Sequence, residues 1–302
     1  MHILGLHTDL FLSIAEVIPI AGLSNLSLTC RQLSSLLTPF IYNRLRQGKG
    51  GPTPLQCAAQ YGLAPLAELS IREGAGINLP TILPSLPQTT PPNWMLSPRT
   101  PLHVAAQYNN PDIIRILVEH GATMDAAADF KRTPLHVAAE CGSTEATRAL
   151  LELGADTECE DNVGDTPAHL AAYLGNLECV RLLLDYGFDI ETRGFINRTV
   201  LHAAAVGGRL DIVTYLLGKE EIIIDARDSH GSTPLHLAAM DDEVGEEMMG
   251  LLVQYGADPE AEDYSGDKPV FGAGTVHRKF VHKAKLGVRA FIWSTGCCGV
   301  LD

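Results

Sequence analysis

Apolar side chains in the central part of the chain recur in short runs at helical spacing, and polar stretches separate the runs. In residues 113–118 and residues 179–184, for example, apolar residues return to one face of a helix every three or four positions. Several runs are followed by a glycine, which can adopt the left-handed conformation that commonly ends a helix: Gly74, Gly121, Gly154, Gly187 and Gly256. The pattern predicts a series of short amphipathic helices joined by polar loops.

A second pattern precedes each run and repeats with little change. Its copies begin at Thr100, Thr133, Thr166, Thr199 and Thr233, which are separated by 33, 33, 33 and 34 residues. The copy at residues 133–138 reads Thr-Pro-Leu-His-Val-Ala, and weaker copies begin at Thr53 and Lys268. Threonine can cap the free N–H groups of a helix start, and the following proline has no N–H left to satisfy. Each copy therefore predicts the start of a further helix.

This motif and its period resemble the ankyrin repeat over residues 50–290. The resemblance implies an all-α fold, an ankyrin-repeat solenoid of paired helices with projecting hairpin loops. We divide this part of the chain into a first repeat at 49–76, a proline-rich inserted loop at 77–99, five repeats at 100–264, a degenerate terminal repeat at 265–290 and a tail at 291–302. Because no repeat can bury its own apolar faces, we expect stability to come from stacking.

The repeat is irregular at three places. The interval from Thr53 to Thr100 is 47 residues, and its excess falls in the inserted loop, for which we expect disorder. The fifth repeat replaces its helix-ending Gly-Ala with residues 218–225 and gains one residue, and residues 241–248 add two more between the helices of the sixth. We therefore expect the superhelix to be distorted toward its C-terminal end.

Residues 1–48 follow a different pattern that also indicates helices. Apolar residues have helical spacing in residues 10–18, Pro19 and Gly22 interrupt them, and the spacing resumes over residues 23–37. Three short helices ending near Pro39 would satisfy this pattern.

Three short motifs in this segment, Leu6-His-Thr-Asp-Leu10, Leu23-Ser-Asn-Leu26 and Thr29-Cys-Arg-Gln-Leu33, together resemble an F-box. The resemblance is greatest to the version that precedes ankyrin repeats in many fungal proteins, although His7 stands where that family usually has proline. It implies a small three-helix F-box-like domain that binds the adaptor subunit of cullin-RING (SCF-type) ubiquitin ligases through Leu6, Asp9, Leu10, Ile14, Leu23, Leu26 and Leu33. The alternative is that these helices only cap the open end of the repeat stack.

Charge narrows the range of partners. The chain carries a formal charge of −14, but residues 51–264 contain 12 basic and 32 acidic residues, a net charge of −20, between two mildly basic ends. This balance argues against direct binding of nucleic acid and favours a protein partner with basic segments. The apolar window at residues 10–28 has no Lys or Arg before it and contains Pro19 and Gly22, so we expect neither a signal peptide nor a membrane span.

Cysteine and histidine are the candidate chemical groups, but neither is arranged for catalysis. The seven cysteines form no C-x-x-C pair and indicate a reducing compartment, cytoplasm or nucleus. Five histidines share one position of the repeat, where the ankyrin resemblance implies hydrogen bonds to the hairpin backbone or the neighbouring threonine: His103, His136, His169, His202 and His236. No phosphate-binding, metalloprotease or hydrolase signature occurs. We therefore expect no enzyme activity, cofactor or metal.

The ankyrin resemblance places partner binding at the hairpin tips and the exposed side of the first helices. The residues that we expect to contact a target are Tyr108, Phe130, Arg132, Tyr173, Phe195, Arg198 and His230. Phe130 and Phe195 carry most weight, because an exposed tip normally has Asp, Asn or Gly and because aromatic residues contribute strongly to interfaces. The alternative is that each phenylalanine packs on its neighbouring hairpin.

These observations together predict a monomeric, non-enzymatic substrate receptor of a ubiquitin ligase, whose repeats select an unknown target. The alternative function is an ankyrin scaffold or transcriptional co-regulator in which the N-terminal helices only cap the stack.

Overall fold

The computed structural model describes residues 15, 18–29, 31–47, 53–80, 99–240 and 245–269. Its helices are α1 (Ile20–Thr29), α2 (Arg31–Gln47), α3 (Pro54–Tyr61), α4 (Ala64–Arg72), α5 (Pro101–Gln107), α6 (Pro111–Glu119), α7 (Pro134–Cys141), α8 (Thr144–Glu152), α9 (Pro167–Leu174), α10 (Leu177–Asp185), α11 (Val200–Val206), α12 (Leu210–Leu217), α13 (Pro234–Ala238) and α14 (Gly245–Gln254). From α3 onward they alternate between the first and the second helix of a repeat. The expected all-α solenoid is confirmed.

The first helix of each repeat begins directly after the motif threonine. Thr133, for example, has an extended backbone, accepts a hydrogen bond from the N–H of His136 and is followed by Pro134 at the first helical position. The paired alanines that follow are fully buried in the first five repeats, as are Ala138 and Ala139 in this one. Small side chains at these positions let the first helices of neighbouring repeats pack closely.

The second helices end at the glycines that the sequence indicated. Gly74, Gly121, Gly154, Gly187 and Gly256 all have positive φ, between 87° and 100°. The fifth repeat has no such cap, since Gly218 is right-handed with φ of −78°. The first helix of the next repeat, α13, is only five residues long.

Asparagine side chains join one repeat to the repeat before it. The Asn110 Nδ2 donates to the carbonyl oxygens of Ala59 and Gln60 at 2.7 and 3.1 Å. Asn176 makes the equivalent bonds to Ala139 and Glu140 two repeats later. These carbonyls lie in the last turn of a first helix, where intrahelical donors run out, so the asparagine helps to satisfy them and fixes the stacking.

The N-terminal helices pack directly on the first repeat. Leu23, Leu37 and Ile41 are buried in the same apolar core as Leu55 and Leu66. Within this part, the Arg44 Nη1 donates to the carbonyl oxygens of Ala15 and Ile18. The N-terminal helices and the first repeat therefore share one core.

The prediction that these helices end near Pro39 is wrong. Helix α2 continues through Pro39 to Gln47. Its later residues Ile41 and Leu45 are buried, and this burial offsets the backbone hydrogen bond that proline removes.

Several predictions fall outside the described residues. They concern the disorder of the inserted loop over 81–98, the linker at 241–244, the degenerate repeat beyond residue 269 and the tail. In the described part of the chain, no helix combines the length and apolar character required to cross a bilayer.

Candidate protein-binding surface

The repeated histidines hold the base of the hairpins from inside the stack. In His136, the Nδ1 lies 3.2 Å from the N–H of Thr133, which donates to it, and the Nε2 lies 3.1 Å from the carbonyl oxygen of Asp165 in the next repeat. Because Nδ1 is an acceptor, the hydrogen resides on Nε2, which donates to that carbonyl. The same arrangement recurs at His169, His202 and His236.

These imidazoles are therefore neutral structural groups. Burial lowers the pKa of His103, His136 and His202 to about 4. The role expected for the histidines from the ankyrin resemblance is confirmed, since each bonds both its threonine and the next hairpin.

Two kinds of hairpin tip project from this base. Residues 161–165, 228–232 and 263–267 form tips that begin with an aspartate, and we call them aspartate-type tips. Residues 128–132 and 194–198 begin with alanine or glycine and end with arginine, and we call them arginine-type tips. In both kinds the N–H of the first residue donates to the carbonyl oxygen of the last, at 2.7–3.0 Å.

An aspartate-type tip is closed by its own carboxylate. The Asp228 Oδ1 accepts the N–H groups of His230 and Ser232 at 2.8 and 3.0 Å. Asp161 and Asp263 accept the equivalent pairs. The fourth residue of each tip is glycine with positive φ, between 77° and 93°. The aspartate thus replaces the backbone acceptors that a tight turn would otherwise need.

An arginine-type tip has no aspartate at its first position and closes through its backbone. The N–H of Arg132 donates to the carbonyl oxygen of Asp129 at 3.2 Å, and the N–H of Arg198 donates to that of Phe195 at 3.2 Å. The two central residues of each turn have positive φ, which is the geometry of a type I′ turn.

The arginines of these tips are buried and paired, so the prediction that they contact a target is wrong. The Arg132 Nη1 lies 2.8 Å from the Glu140 Oε2, and its Nε lies 3.5 Å from the Asp161 Oδ2. The Arg198 Nε lies 3.4 Å from the Asp228 Oδ2. All five side chains are at most 9% exposed. Each arginine therefore connects its own tip to the aspartate of the next tip.

The other predicted target-binding residues differ in how exposed their side chains are. Tyr108 is exposed at the end of α5, where its hydroxyl accepts a hydrogen bond from the Gln60 Nε2 at 3.4 Å. His230 is exposed at a tip, whereas Phe130, Tyr173 and Phe195 are half-buried. The N–H of Phe195 donates to the Asp165 Oδ1 at 2.9 Å, so its backbone is fixed.

The structure separates the adaptor-binding candidates into three groups. Leu6, Asp9, Leu10 and Ile14 lie outside the described residues. Leu23 and Leu33 are 0% and 6% exposed, so neither side chain offers surface to an adaptor, and the prediction for these two residues is corrected. Leu26 is half-buried. On the same helices, Leu28 and Leu36 are exposed, at 60% and 39%.

Much of the acidic charge lies at the base of the hairpins rather than at their tips. The Asp125 Oδ1 accepts the N–H of Asp156 from the next repeat, and Glu158 and Glu191 accept equivalent bonds one and two repeats further on. Burial and neighbouring carboxylates raise the pKa of Asp125 above its usual range. In the described part of the chain, no three His, Cys, Asp or Glu side chains are grouped to hold a metal ion.

Sequence reasoning missed the turn-closing role of the tip aspartates and the residue Ile196. The signal was present: Asp161 and Asp228 stand five residues before a motif threonine, and Ile196 stands three residues before one, as Phe130 does. Counting back from the threonine aligns Phe130 with Ile196, whereas Phe195 aligns with Asp129.

Comparison with known proteins agrees with this architecture. The family model described as ankyrin repeats (three copies) matches residues 29–128, 58–161, 102–194 and 193–263. The crystal structure of the human ASB11 ankyrin repeat domain is similar with a TM-score of 0.60 and 26% identity, covering 76% of this chain and 97% of that one.

Two curated relatives are similar over a shorter stretch. Rabankyrin-5 from Mus musculus and from Homo sapiens is 37% and 38% identical over 82 residues. This stretch is 25% of the chain and spans 7% of the length of Rabankyrin-5.

Proposed function

Because the chain belongs to the ankyrin-repeat family, whose members are typically non-enzymatic protein-interaction modules, we propose that it is a substrate receptor of a cullin-RING ubiquitin ligase. The N-terminal helices bind the adaptor subunit, and the repeats select the target protein. The transfer of ubiquitin itself belongs to other subunits. We place this assembly in the cytoplasm or nucleus, with the chain as a monomer.

The observation that carries the proposal is the exposed apolar surface on helices that are fixed to the repeats. Leu28 and Leu36 are exposed although neighbouring leucines are buried. Ile41 and Leu45 bury α2 in the core of the first repeat. An adaptor bound to these helices would therefore hold the hairpin tips at a constant distance and orientation, as ubiquitin transfer to a selected target requires.

The net charge of the repeats adds a preference for the target. A charge of −20 over residues 51–264 raises the encounter rate with proteins that carry basic segments. This effect acts over about a Debye length, near 8 Å at physiological salt, so it assists encounter more than it fixes the bound geometry.

The test is co-purification of the full chain with a purified F-box-binding adaptor. We expect the parent chain to bind and Leu10→Asp and Leu28→Asp to lose most of the binding, because a charge replaces an apolar side chain. Leu79→Asp is the matched control, since Leu79 is exposed outside the N-terminal helices. Failure of the parent chain to bind the adaptor would reject the ligase function.

The second candidate function is a scaffold or transcriptional co-regulator. The burial of Leu23, Leu37 and Ile41 against the first repeat supports it, because these residues close the end of the stack as a cap would. In that case Leu28→Asp leaves every interaction of the protein unchanged, whereas Leu37→Asp destabilises the first repeat.

A further inference from the structure

The two arginine-type tips share a backbone conformation that their residues disfavour. Phe130 and Lys131 have φ of 59° and 57°, and Ile196 and Asn197 have φ of 48° and 61°. Type I′ turns strongly prefer Asn-Gly at these positions, and a β-branched or bulky residue with positive φ is a true outlier. Such strain persists only where the surrounding structure enforces it, and it is concentrated at binding sites.

The strained tips carry apolar residues at one shared position of the repeat. Phe130 and Ile196 each stand three residues before a motif threonine, and Val163 takes the same position in the tip between them. All three are half-buried, and we call them the apolar tip row. Backbone hydrogen bonds fix its geometry, because the N–H of Asn162 donates to the carbonyl oxygen of Phe130 at 2.8 Å, and that of Ser229 donates to Ile196 at 2.9 Å.

Charges of both signs lie around this row. Asp129 and Lys131 are both exposed at the first tip and carry opposite charges. The carboxylates of Asp161 and Asp228 are at most 1% exposed and are paired with arginines of the same surface. Basic groups lie there too, since the Arg193 side chain donates to a carbonyl oxygen of the second arginine-type tip, so charges of both signs flank the row although the repeats as a whole are acidic.

We propose that the apolar tip row binds an extended segment of the target protein that carries two large apolar side chains six residues apart, an even spacing that puts both on the same face of the segment. One side chain packs at the Phe130 tip and the other at the Ile196 tip. The span follows from the stacking: packed helices are about 8–10 Å apart, so two repeats cover about 16–20 Å, and an extended chain advances about 3.3 Å per residue. This inference rests on the proposed selection of targets by the repeats and specifies its chemistry.

The test uses the full chain and a phage-displayed library of random 16-residue peptides. We expect enriched peptides to share two large apolar residues at a spacing of six. Phe130→Asn and Ile196→Asn should each weaken the binding of a synthetic enriched peptide by about tenfold or more, because a buried apolar contact is lost. The same variants should keep or raise the melting temperature, because asparagine tolerates positive φ.

The opposite directions of these two readouts separate binding from folding. Ser265→Asn is the matched control, since Ser265 is the exposed residue at the equivalent position of the last described tip, and it should bind as the parent does. Three outcomes would each overturn the inference. The enriched peptides are rich in Lys or Arg and lack the spacing, their binding is unchanged by both tip variants, or no peptide is enriched. Adaptor binding is measured separately with the same variants, so failure of the tip row is distinguishable from failure of the ligase function.

Discussion

The aspartate-type and arginine-type tips differ in the group that closes the turn, which is a side-chain carboxylate in the first kind and a backbone carbonyl in the second. Asp263 satisfies the N–H groups of Ser265 and Asp267 within its own tip. Arg132 instead extends out of its tip, to Glu140 on the following helix and to Asp161 in the next repeat. The first kind is closed by its own carboxylate and has a glycine with positive φ at its fourth position. The second is strained, and its arginine couples it to a neighbour.

This difference shows that repeats with one backbone plan are not energetically independent. Asp161 and Asp228 close their own tips and also neutralise an arginine of the preceding tip, whereas Asp263 has no equivalent arginine, because Ser232 ends the tip before it. The arginine-type tips therefore depend on the aspartate-type tips that follow them. Changes at Asp228 and at Asp263, which have the same role in the turn, should consequently differ in cost.

The largest expected effect is a loss of folding stability at acidic pH, and it should be common to both kinds of tip. His103 donates to an arginine-type tip and His202 to an aspartate-type tip, and both have a pKa lowered to about 4. The unfolded chain, with a histidine pKa near 6.5, binds more protons between these values, so stability is complete above about pH 6.5 and is lost as the pH falls to about 4. Each histidine accounts for up to about 3 kcal/mol.

Guanidinium chloride unfolding at pH 7, 5.5 and 4 measures this loss. Carboxyls such as those of Asp125 and Asp225, whose pKa values are raised by partial desolvation, act in the opposite sense and reduce the net slope. The histidine contribution is therefore taken from variants: His103→Gln and His202→Gln should each flatten the pH dependence by a similar amount. A clearly unequal change would mean that the kind of tip controls histidine protonation.

The second effect separates the two aspartates. Asp228→Ala removes the acceptor of two backbone N–H groups and leaves the Arg198 guanidinium buried without its carboxylate, so we expect a loss of about 3–5 kcal/mol in the free energy of unfolding. Asp263→Ala removes only the turn acceptor and should cost about 1–2 kcal/mol. Equilibrium urea denaturation measures both values.

A double variant tests the reason for that difference. If the excess cost at Asp228 comes from an unpaired arginine, Arg198→Met combined with Asp228→Ala should be less destabilising than the sum of the two single changes. If the double variant loses the sum of the two single losses in unfolding free energy, the arginine and the aspartate contribute no coupling energy between the tips.

The sequence alone predicted the parts of this structure that depend on local signals. The threonine-proline helix starts, the glycine helix ends and the histidine position all follow from chemistry within a few residues or from the 33-residue period. The burial of Arg132 was missed because it depends on Asp161, which lies 29 residues away and is brought close only by stacking. Helix α2 passes through Pro39 for a similar reason, since Ile41 and Leu45 gain their burial from the first repeat.

The smallest expected effect concerns the fourth residue of each tip, which has positive φ. This residue is Gly164 in an aspartate-type tip and Lys131 in an arginine-type tip. Gly164→Ala should cost about 1–2 kcal/mol, because its φ of 93° is disfavoured for a residue with a Cβ. A clash does not contribute, since the nearest atom to an added Cβ is the carbonyl carbon of Gly194 at 3.9 Å. Lys131→Gly should instead stabilise the chain by about 0.5–1 kcal/mol, because glycine relieves a φ of 57°. Urea midpoints that move in opposite directions would show that the arginine-type tip stores backbone strain, and a loss of stability in both variants would show that Lys131 is unstrained.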